Sequence, residues 1–356
     1  MSRKILLIFI GIFIIFASLI LLSNKKFKAN NQFHKLSDFL IGKKIEKNTL
    51  APLSLESIFN ENHQWLATIS AQRKITLLVT GDVMLGRSVN FQSWQKKDWR
   101  WPFLKTADFL KRADLTFINL ESPLVADCSL TQEGMIFCGD LKNIEGLVFA
   151  GVDIASLANN HTMNYQQIGL ESTIKILNLN GILPIGINGS AIRETKGIKF
   201  AFLGYNDISP QVGISNVSEE KIKKEIIEAK GKADIIIVSF HWGQEYVDKP
   251  SQRQKSLGYL AIDNGADLVI GNHPHWIQPV EIYKGKLITY SHGNFIFDQM
   301  WSQETRQGIV GQYTFIDKQL ADVQYFPVVI NDYGQPVWME GQEKQRIIND
   351  LKSKSF

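Results

Sequence analysis

Ile75-Thr76-Leu77-Leu78-Val79-Thr80 runs directly into Gly81-Asp82-Val83-Met84-Leu85-Gly86-Arg87. The first six residues are apolar or β-branched, which suits a buried strand. The next seven set a carboxylate immediately past the strand's end. In open α/β sheets ligands bind beyond the carboxyl ends of strands, where loops converge on a rigid scaffold.

Downstream the same pairing recurs. Leu115–Ile118 leads into Asn119-Leu120-Glu121, and Ile154–Leu157 into Ala158-Asn159-Asn160-His161. The run from Ile235 ends at His241-Trp242-Gly243, and Leu268–Ile270 leads into Gly271-Asn272-His273-Pro274-His275. Leu287–Tyr290 leads into Ser291-His292-Gly293-Asn294-Phe295, and Lys199–Leu203 is a further strand. Apolar residues at helical spacing over Ile168–Leu179 and Ile222–Ala229 lie between the strands, which makes the class α/β. After Gly308 the pattern is strand and turn.

Taken singly, Asp82 can cap a turn, Asn160 can cap a helix, and His241 can be a hydrogen-bonded core residue. Their joint placement after strands points instead to one shared polyvalent site, and five of the seven histidines fall in these clusters. His34 and His63 lie elsewhere and are read as solvated. His273 and His275 alternate in an extended segment, an arrangement that aims two imidazoles at neighbouring ions. Carboxylates, imidazoles and an amide without thiolates favour Mn, Fe, Zn or Mg, one ion or two, over a structural zinc site.

Upstream, Ile5–Leu22 is an unbroken apolar run after Arg3 and Lys4. As a helix it rises about 27 Å, close to the hydrocarbon thickness of a bilayer. No A-x-A-like cleavage site closes it and no cysteine follows it, so an uncleaved signal anchor is expected. Residues 1–4 would be cytoplasmic and the main domain extracytoplasmic, since long domains translocate largely regardless of flanking charge. Residues 23–72 read as a stalk, with an amphipathic helix from Ser54 to Ser70 that Ser54 caps and whose face carries Ile58, Trp65 and Leu66. The main domain is expected over 73–335, and 336–356 as a polar tail. The net charge of +4 comes without dense basic patches, so nucleic acid is not an expected partner. Cys128 and Cys138 either close a small surface loop as a disulfide or are two unrelated thiols; their spacing leaves both open.

The ordered set GDVMLGR, NLE, ANNH, FHWG, GNHPH and SHGNF resembles the CapA family of poly-γ-glutamate capsule synthesis proteins, over residues 75 to about 300. That family is similar to the calcineurin-like metallophosphoesterases. The resemblance therefore implies a four-layer αββα sandwich of two mixed sheets. It implies Asp82 as a ligand of a first ion, Glu121 as the bridging carboxylate, Asn160, His241 and His273 on the second ion, and His275 returning to the first. It further implies His161 as a substrate-facing general acid or oxyanion stabiliser, Arg87 as an anion clamp and Asn294 as a support. Two positions depart from the wider pattern. Met84 stands where phosphoesterases carry the histidine of Asp-x-His, a feature the CapA family shares, and His292 stands where an apolar residue is usual. His292 reads as a buried or rim histidine, or as an added ligand.

The implied function is a membrane-anchored accessory to synthesis or export of an anionic envelope polymer, with membrane synthase and exporter subunits as partners. A metal-dependent hydrolase of a phosphoester or envelope polymer is the second reading, and a metal-free binding module the third.

Overall fold

The computed structural model describes residues 50–356. The expected anchor over 5–22, His34 and most of the expected stalk lie outside the described residues. Among the described residues no helix is long and apolar enough to cross a membrane.

The first sheet has a parallel centre of β1 (Lys74–Val83), β2 (Leu115–Leu120), β5 (Ile154–Ser156) and β6 (Leu183–Ile185). It continues through antiparallel β14 (Gln307–Ile316), β15 (Gln319–Asn331) and β16 (Gln335–Trp338), and the short β13 (Asn294–Ile296) pairs with the end of β1. The second sheet runs β11 (Ile277–Tyr283), β12 (Lys286–His292), β10 (Leu268–Asn272), β9 (Ile235–His241), β8 (Ile198–Asn206) and β7 (Ala191–Thr195), with parallel pairing from β12 through β8. A ribbon of β3 (Leu124–Val125) and β4 (Gly139–Asp140) stands apart.

Side chains of a strand alternate between faces, so a sheet buried on both sides reads as a continuous apolar run. Leu77, Val79, Phe117 and Ile154 point toward the other sheet and meet Phe200, Phe202, Ile235, Ile237, Leu268 and Ile270. Phe117 and Phe202 stack across this layer with centroids 6.2 Å apart. The alternate residues Ala201, Leu203, Ile236 and Val238 pack outward on α6 (Glu219–Lys230) and α7 (Gln252–Asn264) through Ile222, Ile226, Leu257 and Ala261. Leu78, Ile118 and Ala155 do the same for α3 (Ala107–Leu110), α4 (Ile144–Phe149) and α5 (Gln166–Leu179). The layers are therefore helix, sheet, sheet, helix. The remaining helices are α1 (Leu55–Ile58), α2 (Arg87–Lys96) and α8 (Gly341–Lys354).

Four features depart from expectation. Ser54 does cap a helix through Ser57, but α1 is one turn long and only a short 3-10 segment, Gln64–Thr68, follows. Asn60 Oδ1 accepts from the Asn62 N–H and Asn62 Oδ1 from that of Gln64, and such local bonds compete with helix propagation. This end of the expected stalk belongs to the globular unit, because Leu53 and Ile58 are buried in the inter-sheet core. His63 is accordingly not a freely solvated side chain: its Nδ1 lies 2.7 Å from Oδ1 of the buried Asp322 on β15. Residues 336–356 are likewise no tail. Ile347 and Leu351, one helical turn apart on α8, enter the same core, and the Phe356 N–H donates to Val280 O.

Phe202 sits in the middle layer, remote from any polar loop. Phe202→Ala is expected to cost about 3–5 kcal/mol, the range for an aromatic deleted from a packed core, read as a fall in the urea unfolding midpoint.

Candidate metal centre

Strands β1, β2, β5, β9 and β10 run toward one place, and at or just past each end a polar side chain is delivered there. Gly81 allows the closest approach. A Cβ at this position would lie 2.3 Å from Gly293 O, so only glycine lets β1 run against the 293 loop and pair Asp82 with Asn294. Gly271 does the same for β10, where a Cβ would fall 2.0 Å from Tyr290 O.

Asp82 Oδ1 accepts from Asn119 Nδ2 at 2.8 Å, and Oδ2 accepts from the His273 backbone N–H at 3.2 Å. Oδ2 also stands 3.3 Å from His275 Nδ1. That nitrogen donates to Asn294 Oδ1 at 2.9 Å. The Asn294 amide nitrogen is taken up by Gln299 Oε1 and Thr305 O, which orients its oxygen toward the imidazole. His275 Nε2 is then left facing Glu121 Oε1 at 3.8 Å. From the other side His241 Nε2 lies 3.9 Å from the same oxygen and 2.8 Å from Asn160 Oδ1. His273 completes the ring of donors, its centroid 4.7 Å from that of His241.

Asp82, Glu121, His241, His273 and His275 are all buried. Burial first, then repulsion from Asp82, raises the Glu121 carboxyl well above its ordinary range. Burial also holds His241 far below the usual imidazole value and His273 at about 3, so both rings are neutral. Burial opposes charge on His275 too, but Glu121 and Asp82 outweigh it and raise that imidazole to about 9.

Whether a cation fits is decided by atoms that lack partners. Glu121 Oε1, His273 Nδ1 and both amide atoms of Asn272 are buried with no hydrogen-bond partner among the described residues. Unsatisfied buried polar atoms are costly and rare in folded proteins. Glu121 is the residue common to two candidate ligand groups, Glu121–His241–His273 and Asp82–Glu121–His275. With metal–donor bonds of about 2.1 Å, two donors on one ion lie about 3.0–4.2 Å apart, in line with the spacings around Glu121. The donor set is compatible with a divalent metal ion.

Three further residues expected at the site lie outside these donor groups. His161 does not join these groups. It stacks on Phe137 at 3.8 Å and its Nδ1 donates to Asn164 Oδ1, while burial holds it at about 4. Phe137 adjoins Cys138, which is disulfide-bonded to Cys128, so the bridged loop forms a wall beside this histidine. Arg87 lies over the Phe137 ring at 4.5 Å, but its guanidinium is ion-paired with the buried Asp298. His292 is buried and bonded through Nε2 to Tyr313 OH at 2.8 Å, outside the donor groups.

Asn119, Asn159 and Glu245 carry weight that strand-end spacing did not single out. Asn119 Nδ2 reaches Asp82, and Asn159 Oδ1 accepts from the backbone N–H groups of His161 and Thr162, which shapes the turn that presents Asn160. Glu245 forms a third group with His273 and His275. Its only sequence signal is its place four residues beyond His241.

The fold and site together define a layered α/β protein with a polyvalent donor cluster between two sheets. A family model described as bacterial capsule synthesis protein PGA_cap matches residues 76–299, and the chain belongs to that family. It is 28% identical over 301 residues to the "Capsule biosynthesis protein CapA" of Bacillus anthracis, covering 78% of this chain and 73% of that one. It is 29% identical over 295 residues to the "PGA biosynthesis protein CapA" of Bacillus subtilis (strain 168), covering 77% of each. Among solved structures, a hypothetical protein from Thermus thermophilus superposes with a TM-score of 0.50 at 16% identity, over 74% of this chain and 100% of that one. That likeness concerns the fold alone.

An ion that binds only the folded state stabilises it by about 2.7 kcal/mol at a hundredfold excess over Kd. Mn²⁺ or Zn²⁺ is therefore expected to raise the melting temperature of the chelator-treated protein, and Asp82→Ala/His273→Ala to abolish that response. Equal melting curves with and without metal for the unmutated protein would contradict a metal centre.

Proposed function

We propose that this chain is a membrane-tethered accessory protein of poly-γ-glutamate synthesis or export, with its domain outside the membrane and its metal centre at the strand ends. The observation that carries the reading is the family match over residues 76–299, which contains every donor of the centre, together with relatives whose names state capsule or PGA biosynthesis. The apolar run over 5–22 supports the tether. Synthase and exporter subunits of the same membrane are the partners this position implies.

In this reading Asp82, Glu121 and His275 hold one ion, and Glu121, Asn160, His241 and His273 hold a second. When bound, such ions polarise an acyl or phosphoryl oxygen and supply hydroxide at neutral pH. The chain's own groups do the rest. Asn294 fixes the His275 ring so that Nε2 faces inward, as outer partners of ligating histidines do. His161 is held by Asn164 and Phe137 with its Nε2 free of any partner among the described residues, and it is the group proposed to meet substrate. Arg87 is neutralised by Asp298, so its proposed part is to brace Phe137 and the His161 wall and not to clamp an anion alone.

A hydrolase acting on an envelope polymer or phosphoester is the second reading, favoured by the unpartnered Glu121 Oε1 at the centre. The two are compatible, since an accessory subunit can trim the polymer that it guides.

In a polyglutamate-producing strain that carries this gene, Asp82→Ala/His273→Ala at the chromosomal locus is expected to reduce surface polymer to the level of the deletion. Unchanged polymer in the deletion strain itself would end the capsule reading. Polymer lost on deletion but retained in the double variant would leave the accessory role and remove the metal from it.

A further inference from the structure

An ion next to Asp82 would be short of protein ligands. Met84, at the position that carries a histidine in the wider phosphoesterase pattern, is fully buried in the outer core and its Sδ accepts from the Gly86 N–H at 3.0 Å. Asp82, Glu121 and His275 then supply three protein donors. Four is the usual minimum for Zn²⁺, and Mn²⁺ takes up to six.

Glu245 is held beside this gap. The Tyr246 N–H donates to Pro274 O at 2.8 Å, which fastens the loop after β9 to the residue between the two histidines. On the far side Gln278 Nε2 donates to Val247 O and Lys249 O, so the loop is pinned just beyond the glutamate as well. The Tyr246 hydroxyl accepts from Gln299 Nε2, and Gln299 in turn accepts from Asn294, the residue that orients His275. Tyr246, His273 and His275 all adopt positive φ, at 61°, 97° and 57°, the left-handed region that non-glycine residues avoid. Against this backbone the ligand atoms of Glu245, His273 and His275 lie within 4.8 Å of one another. His273 Nδ1 is buried there without a partner among the described residues, an independent sign of a nitrogen lone pair left for a ligand.

We propose that Glu245 is a further protein ligand of the divalent cation that Asp82, Glu121 and His275 would hold, making good the donor that Met84 does not provide. The inference rests on the metal-centre reading. The carboxylate of Glu245 adds, beside the imidazole, the negative charge and the oxygen donor that a hard divalent ion prefers.

The test uses the full chain in detergent, stripped with chelator and titrated with Mn²⁺ alone, with stoichiometry and affinity read by calorimetry and by metal content after gel filtration. Glu245→Gln keeps the shape and removes the charge. It is expected to bind one ion fewer per chain than the unmutated protein, or to hold that ion more than about tenfold more weakly, a larger loss than removal of an outer partner brings at its smallest. Asn160→Ala is expected to weaken the other ion and to leave the Glu245-dependent one in place. Stoichiometry and affinity unchanged in Glu245→Gln overturn the proposal while leaving the centre standing. An unmutated chain that binds no Mn²⁺ overturns the centre and the proposal together. Equal melting temperatures of the two chains in chelator show that any loss of binding is not a loss of fold, and a Glu245→Gln chain that melts lower even without metal assigns the residue to structure instead.

Discussion

Everything at the heart of this protein is arranged around one oxygen atom. Glu121 Oε1 is buried beyond the end of β2 with imidazole nitrogens 3.8 and 3.9 Å away on either side and no hydrogen-bond partner among the described residues. A lone buried carboxylate neutralises itself or finds a cation. Here burial and Asp82 push its protonation upward, while His275 is drawn to the charged state by the two carboxylates. A divalent ion on each side would resolve both tensions at once, because it adds positive charge beside the imidazolium of His275.

The two-sheet architecture follows from what that oxygen needs around it. Asp82, Glu121 and Asn160 come from the first sheet and its loops, while His241, His273 and His275 come from the second. Neither sheet alone could surround the carboxylate. The aromatic layer of Phe117, Phe200 and Phe202 holds the sheets in fixed register beneath the site. Gly81 and Gly271 then let the backbones close to distances no Cβ allows. Core packing thus sets the donor positions, and the strained turns at His273 and His275 aim them.

Much of this was legible before any coordinates. Each strand named from its apolar run is a strand, because those runs are buried on both faces and need no partner information to be recognised. Strand ends pointed to one shared site, and the family resemblance implied Asp82, Glu121, Asn160, His241, His273 and His275 as its donors; these six side chains lie close to one another around Glu121. Glu245 was not visible, since its place depends on the Tyr246–Pro274 hydrogen bond between two loops that are about thirty residues apart. Asn119 and Asn272 were on the page but carried no periodic signal. α8 was missed because only a few apolar residues mark its inner face, and the helix expected from Ser54 failed through asparagine turns that pattern alone does not weigh. The Cys128–Cys138 bridge needed the fold of the loop, since ten residues of separation permit either state.

The charge around the centre constrains any role with an anionic polymer. Asp82, Glu121, Glu245 and Asp298 surround the site, and the guanidinium of Arg87 is already committed to Asp298. Like unit charges about 4 Å apart at an effective dielectric near 20 repel by about 4 kcal/mol, so the carboxylates of Asp82 and Glu245 disfavour a polyanion wherever no cation lies between. With two divalent ions the sign at the centre reverses, and a carboxylate or phosphate oxygen becomes the natural next ligand. On the proposed reading, metal occupancy is therefore more than a catalytic matter. It decides whether the polymer can approach at all, so a variant that still folds but holds no ion should fail as an accessory for the same electrostatic reason that it fails as a hydrolase.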